Sequence, residues 1–253
     1  MSVRLLFDRF DDIRGRIDIG DVRQAGDMPG YDDGAAVVPQ GNWMALSEEE
    51  AERFRPAAAT SPNTMVELVN QNLPVFASDD LPDRLDAATA LDPLAGHWPR
   101  RRLACAVGPP GRLTSTEDST TGHRIGLHID NFDQQPYSTR QDSRRRLCLN
   151  LGPGTRYLLV GDLDIKEICR ALGCDQDGYY PHTDDLRRYV AEGHPLRCLR
   201  IRLDPGEGYI APTEFLPHDG STSDAQTWSL AAFCWAEPNA PHLCTVLFDF
   251  LFF

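Results

Sequence analysis

From about residue 100 onward the chain breaks into short β-prone runs separated by Gly, Pro and Asp: 103–107, 125–130, 146–151, 157–160, 199–203, 209–211 and 228–235. Runs of this length, closed off by turn residues, are too brief for stable helices and need neighbours on their edges. The pattern therefore confines this part of the chain to a sandwich, barrel or roll of short strands.

Two helical segments interrupt the pattern, one over 165–172 and one after Thr183, where Asp184 and Asp185 fill the first turn. They read as an insertion, about 163–192, between two halves of a β core. The first hundred residues are polar and broken, with helices expected over 47–54 and 64–73. Ser47 followed by Glu48, Glu49 and Glu50 is a good helix start. The expected architecture is mainly β with flanking helices, in one domain over 1–253. Residues 1–100 form a helical or irregular N-terminal layer in this reading, and 101–253 the core. The apolar tail, 242–253, is expected to be a buried terminal strand or a subunit contact, the latter giving a homodimer.

Composition narrows the function. Apolar residues at 41% and charged residues at 25% are ordinary for a folded protein. A formal charge of −13 opposes binding to a phosphate backbone, so nucleic acid is not an expected partner. Lys166 is the sole lysine, and the other basic residues are arginines. The seven cysteines form no CxxC pair, and an odd number fits a disulfide framework badly. The N-terminus carries no apolar secretion-signal core and no run is long enough to span a bilayer. A cytoplasmic protein without membrane contact is expected.

Three features recur in order: His128-Ile129-Asp130 at the end of a β-like run, the turn Gly152-Pro153-Gly154-Thr155-Arg156, and Pro217-His218-Asp219-Gly220 before the last strand. In an extended segment residues i and i+2 face one side, so His128 and Asp130 reach toward one ion while Ile129 packs the other way. His218, about 90 residues on, completes a set of two imidazoles and a carboxylate. Such a set leaves coordination positions open, as non-haem Fe(II) oxygenases require, although zinc accepts the same ligands. A second match, His182-Thr183-Asp184, lies at a helix start only about 36 residues from His218, too short for the strands that must intervene. Without a metal, His128 would be a surface-loop histidine and His218 a turn residue. Order, spacing and strand context favour the joint metal reading.

These residues resemble the Fe(II)/2-oxoglutarate-dependent dioxygenase superfamily over roughly residues 100–236. The approach to His218, Asp204 to Pro212 and then Leu216-Pro217, is similar to the family's approach to its distal histidine. The resemblance implies a double-stranded β-helix (jelly roll), His128, Asp130 and His218 as ligands of Fe(II), and 2-oxoglutarate as cosubstrate. Because Asp130 is a carboxylate, it implies hydroxylation, desaturation or cyclisation in place of halogenation. Many members place a cosubstrate-binding arginine about ten residues past the distal histidine; here Trp228 stands there, and no Arg or Lys follows Arg202. Other members use the strand after the HxD segment, which points to Arg156, whose planar fork suits a carboxylate. Arg146, which alternates with Cys148 and Asn150 on one strand face, is a second candidate, whereas Arg145 falls in line with Leu147, Leu149 and Leu151. Most of the Arg144 to Arg146 triplet is expected to be a solvated edge-strand charge run. Tyr137, Thr213 and Asp219 are the candidates for facing substrate. The substrate implied is a small molecule such as an amino acid or natural-product intermediate. A cupin-like metalloenzyme without 2-oxoglutarate and a metal-free β-sandwich binding module are the alternatives.

Overall fold

The computed structural model describes residues 3–6, 14–31, 34–70 and 104–235. It is mainly β with few helices. In chain order the elements are β1 (Arg4–Leu6), β2 (Ile17–Gln24), β3 (Val37–Pro39), β4 (Met44–Ala45), α1 (Glu48–Phe54), β5 (Met65–Asn70) and β6 (Ala104–Gly108). There follow β7 (Arg146–Pro153), β8 (Arg156–Gly161), α2 (Ile165–Ala171), α3 (Thr183–Ala191), β9 (Arg197–Leu203), β10 (Glu207–Ala211), β11 (His218–Ser221) and β12 (Ser229–Trp235). One sheet has the order β1-β5-β10-β7-β12-β6; the other runs β11-β8-β9-β2-β3, with β4 on β2.

The pairings after residue 100 are nested: β6 with β12, the His128 segment with β11, β7 with β10, and β8 with β9, all antiparallel. Successive segments alternate between the sheets except at β8 and β9, the innermost pair. Between those two the chain makes α2 and α3, the expected insertion. In strand β2 Ile17 and Ile19 are buried on one face, and beyond Gly20 the buried position passes to Val22 while Asp21 and Arg23 are exposed. Leu127, Leu158, Leu159, Val160, Leu199 and Ile201 are fully buried in one hydrophobic cluster, each contributing about 1.5–3 kcal/mol by leaving water.

The first hundred residues differ from expectation. Helix α1 forms as read, with a capping box in which the Glu50 N–H donates to Ser47 Oγ at 3.2 Å and the Ser47 N–H to Glu50 Oε2 at 3.3 Å. The helix expected over 64–73 is instead strand β5, which pairs with both β1 and β10. Sheet edges on both sides outweigh the weak helical preference of Met65-Val66-Glu67-Leu68-Val69. Among the described residues of the N-terminal part, β1 and β5 widen one sheet, and β2, β3 and β4 the other. The strand expected over 125–130 makes only isolated bridges, because Gly126 at φ +73° turns the chain. The apolar tail and the homodimer contact expected of it lie outside the described residues.

Candidate metal centre

The HxD segment is laid down by backbone hydrogen bonds. Leu127 N–H donates to Val37 O at 2.8 Å, His128 N–H to His218 O at 3.1 Å, His218 N–H to His128 O at 3.0 Å, and Asp130 N–H to Thr213 O at 3.1 Å. Ile129 packs into the core, as the alternation predicts. Its N–H and carbonyl both meet the Thr183 hydroxyl, at 3.1 and 3.2 Å, which ties the start of α3 to the segment.

His128, Asp130 and His218 come together as read from the sequence. All three are buried, and one ligand atom from each lies within 4.8 Å of the others. Each imidazole Nδ1 donates to the carbonyl two residues back, His128 to Gly126 O at 2.9 Å and His218 to Leu216 O at 3.2 Å. A carbonyl only accepts, so Nδ1 must hold the proton and each Nε2 lone pair is left for a ligand. Both Nε2 atoms lie 3.6 Å from Asp130, one from each carboxylate oxygen. Asp130 Oδ2 is buried without a hydrogen bond, and the cation beside it is the Arg146 guanidinium, whose Nη2 lies 3.1 Å away.

Burial and neighbouring charges set the protonation of the three side chains. Burial and the neighbouring His128 push the His218 imidazole down to about 3. Burial acts against charge on His128 too, but the Asp130 hydrogen bond and the Asp219 charge outweigh it and raise its pKa. Burial opposes ionisation of Asp130, yet His218, His128 and Arg146 together hold its carboxyl well below the usual range. The pair of imidazoles therefore takes up one proton at most near neutrality, and the carboxylate stays ionised.

Residues that the sequence did not single out hold this arrangement. Arg140 is fully buried and donates to Glu214 O at 2.7 Å, Asp130 O at 2.8 Å, Asn131 Oδ1 at 2.7 Å and Gln135 O at 3.1 Å. Its short 3-10 helix, Tyr137–Asp142, gives no periodic signal, so only the fold reveals that it clamps the residues following HxD. Arg145 is not a solvated edge residue: it is buried and pairs with buried Glu67 of β5, which the misread helix had hidden. Arg144 pairs with Asp133 at 2.5 Å.

A cavity of about 450 Å³ opens beside His218, lined by Arg146, Arg156, Arg112, Tyr209, Ser115 and Phe233 among others. Arg156, on β8, is buried and has no carboxylate partner among the described residues. A Cβ on Gly220 would stand 2.5 Å from both Arg156 Nη2 and Ser115 Oγ, so this glycine leaves the cradle in which they meet. Arg146 also faces the site, with Nη2 3.1 Å from Asp130 Oδ2 and Nη1 3.5 Å from His218 Nε2.

The other sequence candidates fall elsewhere. Asn150 spends its side chain on the turn after β7, donating to Gly154 O and Leu203 O and accepting from the Gly152 N–H. Asp219 holds the loop opposite, its Oδ1 accepting from the Thr116 N–H and hydroxyl at 3.0 and 2.8 Å. Tyr137 packs under the Lys166 ammonium at 4.7 Å, and Thr213 positions Asp130 through its carbonyl. None of these four lines the cavity. His182, in the second HxD match, caps α3 and is half exposed, as its sequence position implied. No known family model matches the chain, and comparison with curated proteins returned no match.

Proposed function

We propose that this protein is a non-haem Fe(II)/2-oxoglutarate-dependent oxygenase acting on a small molecule, on a double-stranded β-helix. The observation that carries the reading is the convergence of His128, Asp130 and His218 beside a buried arginine, Arg156, that has no carboxylate partner among the described residues. The nested pairings support this reading, since four antiparallel pairs folded over as one long hairpin are the pairing pattern of a jelly roll.

The donor set fits ferrous iron: two imidazole nitrogens with fixed tautomers and one ionised carboxylate, with the cavity beside His218. The Gly220 cradle and Arg156 fit one carboxylate of 2-oxoglutarate. Bound together, iron and 2-oxoglutarate would supply dioxygen chemistry that oxidises a C–H bond as the cosubstrate loses carbon dioxide and becomes succinate. The protein's own tasks are positional. Gly126 O and Leu216 O orient the imidazoles, Thr213 O and Arg140 fix the Asp130 backbone, and Arg156 holds the distal carboxylate. Cavity walls such as Tyr209, Ala231 and Phe233 limit water.

A second reading drops the cosubstrate: Arg146 already places a cation 3.1 Å from Asp130, beside the three candidate ligands. A cupin-like isomerase, lyase or cosubstrate-independent dioxygenase would keep the metal alone. Anaerobic Fe(II) titration with and without 2-oxoglutarate separates them. A weak visible charge-transfer band, lost in Arg156→Ala, supports the oxygenase; iron binding without the band favours the cupin-like reading, and no iron binding removes both. A cytoplasmic setting belongs to this proposal, since the cysteines among the described residues are free.

A further inference from the structure

We propose that the substrate is an organic carboxylate with an apolar body, its acid group paired with Arg146 and its body lying on Phe132 and Trp235. This rests on the reading that iron and 2-oxoglutarate share the cavity, and it uses cations that reading leaves over.

The cavity holds more positive charge than one cosubstrate consumes. Arg112, Arg146 and Arg156 line it, against a single acid, Glu117, which is exposed. Neither Arg112 nor Arg156 has a carboxylate partner among the described residues, and Arg146 has only Asp130, which is a metal ligand. One carboxylate of 2-oxoglutarate belongs with the metal and the other with Arg156. A chain of net charge −13 that gathers guanidinium groups around one cavity favours a further anion there.

Arg146 is built to receive it. Its guanidinium lies 4.3 Å from the Trp235 ring and 5.3 Å from that of Phe233, which fixes the plane of the fork. Its Nε is buried without an acceptor. Phe132, two residues past Asp130, is 61% exposed and packs on Trp235 with centroids 4.8 Å apart. An apolar platform therefore continues outward from the arginine that touches the metal ligands. A carboxylate on Arg146 brings the carbons next to its acid group closest to the metal.

The test uses zinc-loaded protein, which cannot turn over, with 2-oxoglutarate as cosubstrate and 3-phenylpropionate as probe, followed by saturation-transfer NMR and calorimetry. The probe is expected to bind alongside 2-oxoglutarate, and uncharged 3-phenylpropanol much more weakly. Arg146→Gln should weaken the probe by about tenfold to a hundredfold, and Arg146→Lys should restore part of the loss. Phe132→Ala, at an exposed position that leaves folding alone, should also weaken it. Arg156→Gln should weaken 2-oxoglutarate and spare the probe. Displacement of the probe by 2-oxoglutarate, equal binding of the alcohol, or indifference to both Arg146→Gln and Phe132→Ala would overturn the proposal while leaving the oxygenase reading standing. Probe binding that depends on Arg146 without any binding of 2-oxoglutarate would keep the subsite and remove the cosubstrate.

Discussion

His128 and His218 are joined by a reciprocal pair of backbone hydrogen bonds, 3.1 and 3.0 Å, and their rings stand with centroids 4.5 Å apart. That bridge turns two histidines far apart in the chain into neighbours whose Nε2 atoms point at one carboxylate. A register slip of one residue would send one imidazole to the opposite face, so the centre depends on the pairing being kept.

Removing one ligand should therefore empty the site without unfolding the sheets. His218→Ala is expected to lower Fe(II) or Zn(II) affinity by more than about 100-fold, since even outer-sphere partners of metal ligands cost 10–100-fold. Metal analysis of the parent and variant after identical loading checks this; equal metal content would contradict the assigned centre.

Acid should destabilise the metal-free protein through His218. Its folded pKa, about 3, lies below the ordinary value of 6.5, so between these limits the unfolded chain binds the proton that the folded state refuses. Stability falls as pH drops through that window, and His218→Phe should flatten the fall. His128 works the other way: its raised pKa gives stability present below 6.5 and lost as pH rises through the folded value. Urea midpoints from pH 3 to 8 for the two histidine variants should show opposite slopes. Metal must also displace the His128 proton, so affinity should rise by up to about tenfold per pH unit until that proton is gone.

Arg140→Ala strips a fully buried cation from Glu214, whose carboxyl burial already raises in pKa, and from backbone carbonyls including that of Asp130. The expected loss is about 3–5 kcal/mol of unfolding free energy. Because the partner left behind accounts for much of it, Arg140→Met combined with Glu214→Leu should lose less than the two single changes added together. Additive losses in denaturant titration would argue against a coupled pair.

Gly220→Ala places a methyl group where Arg156 Nη2 and Ser115 Oγ meet, and both are movable side-chain ends. The fold and the metal should be kept, while 2-oxoglutarate binding weakens by about tenfold as the guanidinium is pushed aside. Calorimetry with the zinc-loaded protein reads both effects, and unchanged 2-oxoglutarate affinity would move the anchor away from Arg156.

The β core was legible because its signal is local. Strands β6 to β10 and β12, α2 and α3 lie within a few residues of where turn residues and alternation put them, whereas β11 was not among the expected runs. So was the triad, since HxD in an extended stretch already faces one way. Strand β5 was not legible: Met65 to Asn70 has no strong local preference, and what makes it a strand is the pair of edges offered by β1 and β10.

By itself, then, the sequence determined the β-rich class of the second half, the insertion and the three metal-ligand candidates, all properties of residues a few positions apart. Only the tertiary structure decided that the N-terminal part widens both sheets and that Arg140 and Arg145 are buried ion-pair partners. It alone placed Arg156 and Arg146 on the cavity, while Asn150, Tyr137, Thr213 and Asp219 stand off it. These depend on which distant segments share an edge or a cavity wall, and pairing across the chain is set by the packing of the whole, which no local pattern encodes.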